Sequence, residues 1–318
     1  MLTDITRKLF TLQKLEGIGK AALEQLSSLE GFATSSLDDL ARENKRLLKA
    51  LGDNDTAWNI AVEKAELDIE TAEKLDTRIL CILDDDYPAL LKDTGDKHNP
   101  FFLYVKGHFA QQPSKSIAII GTRQPTKHGK IITERVTEFF VTEGWSIVSG
   151  LAIGCDVISH EVTLARGGHA VAVLAHGLHT IAPKQHTKIA DQILEKGGVL
   201  ITEYGFGVDA LPFQFVKRDR IQAGLAKGVV MIQSDLDGGS LHASRASIEY
   251  KRILAVPQAT ALDIENKEEK VKANQILCGH MLDDKLKLLK CDEPDLNNIF
   301  ILHGRNDYAN LAQRLLID

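Results

Sequence analysis

Between residues 116 and 258 short apolar runs recur at 117–120, 146–148, 170–174, 199–201, 229–233 and 253–256. Amphipathic stretches separate them, KIITERVTEFFVTEG and DVISHEVTLARGG among them. Buried strands alternating with helices of this length predict right-handed crossovers and a mainly parallel sheet covered on both faces. The expected fold is therefore α/β, an extended Rossmann-like, doubly wound sheet. Ahead of it the spacing changes. Leu12, Leu15, Ile18, Ala22, Leu23 and Leu26 repeat with helical period on either side of Gly17-Ile18-Gly19-Lys20, which predicts two helices joined by a tight turn. Such a hairpin either offers backbone N–H groups to a phosphate or simply turns the chain of a small helical bundle.

Two strand-like runs, 78–84 and 101–107, lead into the sheet, with a loop at Asp84-Asp85-Asp86-Tyr87-Pro88 between them. The predicted organisation is a helical domain at 1–75, a Rossmann-like domain at 76–285 and a helical extension at 286–318. Within 259–318 the pattern is mixed, and that segment could complete the sheet or cover an edge.

The 318 residues have a composition ordinary for a globular protein, 44% apolar and 26% charged. No apolar stretch reaches membrane-spanning length and MLTDITRKLF lacks a secretory signal's apolar region, so the expected location is cytoplasmic. Four scattered cysteines suggest neither a zinc site nor a disulfide framework. A net charge of −6 argues against a nucleic-acid binder until its distribution is considered. Residues 116–258 hold 15 Lys and Arg against 13 Asp and Glu, with seven of the eleven histidines. The position of charge decides what a groove attracts.

Ligands of doubly wound sheets bind beyond the carboxyl ends of the strands, where the strand order reverses. The unusual residues of this chain fall there: GTR, SGLAIGCD, AHGLHTIAPK, EYGFG and DLDGGS, each following a strand. The first turn has one glycine, Gly121, then Thr122 with a hydroxyl and an N–H, then Arg123 with a planar fork suited to phosphate. Taken alone, a plain strand-to-helix turn with an exposed arginine would look the same. Ser149, Gly150 and Gly154 could turn N–H groups to one phosphate, and Asp156 could cap the helix that follows. Asp156 and His160 stand four apart, but no third ligand accompanies them, and no metal is expected.

In FQFVKRDRIQAGL, Lys217 and Arg220 share a helix face, Arg218 lies between them, and Asp219 could hold one arginine in place. Gly238, Gly239 and Ser240 open another helix, whose N-terminus suits an anion. Phe213, Phe215 and Tyr204 are candidates to stack on bases, or else to pack in the core.

The ordered series Tyr87-Pro88, IGTR, SGLAIGCDxxxH, GGHAVAVLAHGL, APK, GGVLITEY, FxxRDRIxAGL, GGSLHAS and ILAVP resembles the DNA processing protein A (DprA/Smf) family over about residues 80–282. The resemblance implies a binder of single-stranded DNA that loads a RecA-type recombinase, in DNA uptake and transformation or in recombinational repair. It implies no catalytic residues, no cofactor, and a homodimer formed through part of 225–285. Matched motif by motif, it implies DNA contacts from Arg123, Lys184, Arg218 and Arg220, with backbone help from Gly121, Ser149, Gly150 and Ser240. Three places depart from the family pattern. Asp219 stands where an asparagine is usual, with Val216 for a proline; Ala182 replaces a tyrosine before Pro183; Ile153 replaces an arginine. All three weaken phosphate attraction, and so keep open a nucleotide-binding sensor built on the same turns. A nucleoside-monophosphate phosphoribohydrolase would need a Gly-Thr and a glutamate after Gly239, where this chain has Ser240-Leu241-His242.

Overall fold

The computed structural model describes residues 2–52, 55–112 and 115–317. Two compact units emerge, Met1–Tyr87 with Pro100–Val105, and Pro88–Asn99 with Lys106–Asp318.

The first unit is five helices and a strand pair. Helix α1 (Asp4–Gln13) starts where the Thr3 side chain accepts from the Thr6 N–H, and α2 (Lys20–Ser27) follows the glycine turn. Gly17, at φ +83°, takes the left-handed conformation that favours glycine. All six periodic positions of the hairpin, Leu12 to Leu26, are buried. Helices α3 (Leu37–Glu43), α4 (Lys45–Leu51) and α5 (Thr56–Lys74) complete the bundle. Strand β1 (Arg78–Cys81) pairs antiparallel with β2 (Phe102–Gly107). Phe10 of α1 is fully buried and meets the edges of Phe102 and Tyr104.

The second unit begins with α6 (Ala89–Lys92) and is organised by parallel strands: β3 (Ser116–Ile120), β4 (Ser146–Ser149), β5 (Ala170–Val173), β6 (Val199–Thr202), β7 (Gly228–Met231), β8 (Ile253–Pro257) and β9 (Ile299–Leu302). Across the sheet they run β6-β5-β4-β3-β7-β8-β9. The chain winds outward from β3 to β6, returns to the centre, and winds the other way through β7, β8 and β9. The reversal therefore lies between β3 and β7, where Ala118 pairs with Val229.

Strands β3 to β8 are buried on both faces, which explains their uninterrupted apolar runs. Helices α7 (Lys127–Thr142), α8 (Cys155–Ala165) and α9 (Thr187–Glu195) connect the first four strands; α10 (Pro212–Gly224) and α11 (Ser240–Glu249) pack on each other and against β5, β7 and β8. Between β8 and β9 run α12 (Ala261–Glu265), α13 (Lys272–Cys278) and α14 (Leu282–Leu289), and α15 (Asp307–Ile317) follows β9 to pack on α7. Phe140, Trp145, Ile119, Val230 and Leu311 share one core cluster.

The sequence predicts a helical extension at 286–318; instead β9 interrupts it and adds a seventh parallel strand beside β8. An apolar run of four residues, three of them only half-buried, is too short to tell from a helix segment by pattern alone. All four cysteines are free thiols. Among the described residues no helix is long and apolar enough to cross a membrane.

Candidate nucleic-acid interface

A cleft of about 710 Å³ opens at the strand-order reversal, its wall running from Ile120, Gly121, Thr122 and Arg123 after β3 to Ser234, Asp235, Gly238, Gly239 and Ser240 after β7. That volume lies within the roughly 300–1,000 Å³ usual for ligand sites. Ala152, Ile153, Ala182, Pro183, Pro212, Phe215 and Val216 make much of its lining apolar.

Arg123 stands exposed at the edge, its guanidinium carbon 5.4 Å from the centre of the Phe215 ring. Such stacking aligns the planar fork and leaves its N–H donors to solvent or to an anion. Lys184, just past Pro183, and Lys217 on the first turns of α10 are also exposed.

The GTR turn is held from beneath by Gln233, a residue that no motif singles out. Its carbonyl accepts from the Thr122 N–H at 2.9 Å, its Oε1 accepts from Thr126 N at 3.0 Å, and its Nε2 donates to Thr126 Oγ1 at 2.9 Å. Asn274 plays a matching part below: its Nδ2 donates to Ile232 and Pro257 carbonyls, and its Oδ1 accepts from Ser234 N. Thr122 therefore has no free N–H for a phosphate, contrary to the sequence reading, and its hydroxyl accepts from Gln124 N.

The glycines expected to cradle phosphate mostly admit other parts of the protein. A Cβ on Gly121 would stand 2.6 Å from Cys155 Sγ; one on Gly154, at φ +91°, would meet Thr122 O at 2.4 Å. The second turn thus packs backbone to backbone against the first. A Cβ on Gly150 would lie 1.8 Å from Arg218 Nη1, so this glycine makes room for a guanidinium of the same chain. Ser149 is fully buried, and its hydroxyl donates to Ile119 O at 2.7 Å. Gly239 differs, with nothing within 4 Å of a Cβ, and with Ser240 it lines the cleft.

The RDR stretch divides. Arg218 is 3% exposed, sunk in the floor of the cleft; Nη1 donates to Val173 O at 2.5 Å and Nε lies 3.3 Å from Asp219 Oδ1. Asp156, expected to cap α8, is instead buried beside this arginine; Gly154 occupies the cap position, and the Asp156 carboxylate accepts weakly from Ala152 N at 3.4 Å. Burial raises the Asp156 pKa against the opposing pull of Arg218. Burial likewise pushes Asp219 up to about 7, with Arg218 pulling down and Asp156 pushing further up. His160 is buried below them, and desolvation, reinforced by Arg218 and His186, lowers it to about 3, which keeps the ring neutral. Among the described residues no group of three or more His, Cys, Asp or Glu is placed to hold a metal.

Arg220 does not line the cleft. Glu203 holds it in a two-pronged pair, 2.7 Å on each prong, and Nη1 also donates to Lys217 O. Glu203 lies directly after β6, 17 residues ahead of its partner in the chain, so periodicity could not expose the pair.

Of the residues chosen from sequence, the cleft brings together Gly121, Thr122, Arg123, Arg218, Gly239 and Ser240, with Lys184 adjacent to its wall residue Pro183 and Lys217 to its wall residues Val216 and Arg218. Ser149, Gly150 and Arg220 do not line it. Gln222 and Asp235 do. Asp235 is held by Lys270 at 2.8 Å.

The family described as DNA recombination-mediator protein A matches residues 78–280. The chain is similar to the protein Smf of Escherichia coli, 37% identical over 172 residues, which are 54% of this chain and 46% of that one. It spans about half the length of the curated relatives it matches. A solved structure of DNA processing protein A from Streptococcus pneumoniae is similar with a TM-score of 0.65 and 26% identity, over 88% of this chain and 99% of that one. The single-stranded-DNA-binding DNA processing protein A of Helicobacter pylori shares the fold, with a TM-score of 0.58 and 24% identity, over 76% and 96%.

Proposed function

This chain belongs to the DNA recombination-mediator protein A family, and from that premise we propose that it binds single-stranded DNA and hands the strand to a RecA-type recombinase, during DNA uptake or recombinational repair. It acts by binding, with no catalytic group, as a homodimer joined through part of 225–285. A monomer by light scattering at micromolar concentration would contradict the dimer.

The observation that carries the reading is the Arg123 fork laid over Phe215 at the edge of a cleft with apolar sides at the strand-order reversal. A single strand needs both chemistries, a cation for the phosphodiester and an apolar slot with a ring for an unstacked base. Lys184 and Lys217 extend the cationic rim. Phosphates belong at that rim. The floor sets the carboxyl groups of Asp156 and Asp219 against Arg218, so its cation is already matched and offers little to an anion.

A nucleotide sensor would use the same cleft, with its phosphate at the same rim. Fluorescence anisotropy against single-stranded DNA, duplex DNA and free mononucleotides, each titrated with salt, tests the choice. A strand held at several phosphates loses affinity steeply with salt, whereas a mononucleotide held at one does not.

A further inference from the structure

The loop that brings Lys184 to the rim is built around a buried histidine. From the end of β5 at Val173 to Lys184 the chain forms neither helix nor strand. His176, within that loop, is fully buried; its Nε2 accepts from the Ala182 N–H at 3.1 Å and its Nδ1 donates to the Gly177 carbonyl at 3.0 Å. A backbone N–H can only donate, so the Ala182 bond fixes the tautomer, with the lone pair on Nε2 and the proton on Nδ1. Burial, reinforced by His179 and Arg218 against the pull of the Gly177 bond, lowers the pKa of the ring and keeps it in that neutral form. On the other side of Lys184 a second buried ring closes the span: His186 Nδ1 donates to Leu151 O at 2.8 Å, and the His186 N–H donates to the Pro183 carbonyl at 2.9 Å. Lys184 is thus the exposed middle of a short bridge, held before it through Ala182 and after it through His186, and Ala182 and Pro183 are the part of that bridge that lines the cleft.

We infer that His176 is a positioning residue for strand binding, holding the Ala182–Pro183 wall in place so that Lys184 meets a phosphate at the rim. This rests on the single-strand reading above and adds to it the group that aims one of its cations. A lysine is a point charge on a flexible stem, so where its backbone is anchored decides which phosphate it can reach. Without the His176 acceptor the Ala182 N–H loses its partner, and the partly buried wall shifts towards water to regain one.

The test titrates the full chain with salt against a labelled 15-mer of thymidylate, as the parent and as His176→Leu, His176→Gln, Lys184→Ala and the double variant His176→Leu/Lys184→Ala. Leucine keeps an apolar body and removes the acceptor, whereas glutamine puts an amide oxygen near the place of Nε2. His176→Leu and Lys184→Ala should each make the slope of log K against log salt shallower by about 0.7, the share of one single-strand phosphate, and the double variant should be no shallower than Lys184→Ala alone. His176→Gln should keep the parent's slope and an affinity within about twofold of it. A partly unfolded preparation lowers the active concentration and leaves the slope alone, so misfolding does not mimic the result. If His176→Leu does not fold, His176→Asn, whose shorter side chain falls short of the Ala182 N–H, replaces it with the same expected slope. A parent-like slope in the variant without the acceptor, a slope in His176→Gln as shallow as in that variant, or additive losses in the double variant would overturn the inference and leave the single-strand reading standing. No binding of the strand by the parent would overturn both.

Discussion

Arg123 and Arg218 line one cleft and are built for different tasks. Arg123 is exposed and stacked on Phe215, and among the described residues no carboxylate lies within ion-pair distance of it. Arg218 is 3% exposed, hydrogen-bonded to Val173 O, set against Asp219 and placed under the chain at Gly150. The same side chain is a solvent-facing cation at the rim and a structural counter-ion in the floor. What separates them is the neighbouring charge and the water each can reach, neither of which a residue type discloses.

Removing the floor arginine should have the largest effect on the fold. Arg218→Leu leaves Asp156 and Asp219 buried without their cation, and breaking a buried pair in this way costs about 3–5 kcal/mol. Urea denaturation reads that cost; a variant as stable as the parent would erase the distinction between floor and rim.

Below the two carboxylates His160 supplies a pH signature. Its folded pKa of about 3 lies below the ordinary value of 6.5, so the unfolded chain takes up the proton first. The stability from the neutral ring is complete above 6.5 and is lost as pH falls from there towards 3, about 3 kcal/mol by pH 4. His160→Asn should remove this rise, so that between pH 4 and 7 the variant gains about 3 kcal/mol less stability than the parent, measured by denaturation at several pH values. Asp219, raised from 3.8 to about 7, works the opposite way: folding favours its protonated form, so its contribution is complete below 3.8 and is lost as pH rises from there to about 7.

At the rim the balance between stability and binding inverts. Arg123→Ala should leave the urea-derived stability within about 0.5 kcal/mol of the parent while lowering single-stranded DNA affinity about tenfold. Arg220→Ala is the smallest change expected for DNA. The Glu203 pair breaks and stability drops by about 1 kcal/mol, while strand affinity stays within about twofold in the anisotropy assay.

Much of the architecture could be read from the chain. Runs such as SIAII and ILAVP are continuous because both faces of the strand are covered, and this made the parallel sheet and its reversal legible. Strand β9 escaped because three of its four residues are only half-buried. In the site, Arg123 was recognisable from the turn it opens. The fates of Arg218 and Arg220 were not, since they depend on Val173, Glu203 and Asp156, partners brought near only by folding. The glycines misled in an instructive way. Gly121, Gly150 and Gly154 do mark close approaches, but the groups approaching are Cys155, Arg218 and Thr122.

The division between a phosphate-holding rim and a neutralised floor stands or falls on the salt dependence of single-stranded DNA affinity in Arg123→Ala/Lys184→Ala/Lys217→Ala beside the parent. Every phosphate of a single strand that is no longer neutralised reduces the slope of log K against log salt by about 0.7, so the triple variant should have a slope shallower by about 2 units. An unchanged slope would contradict that division, because the phosphates would then be held somewhere other than this rim.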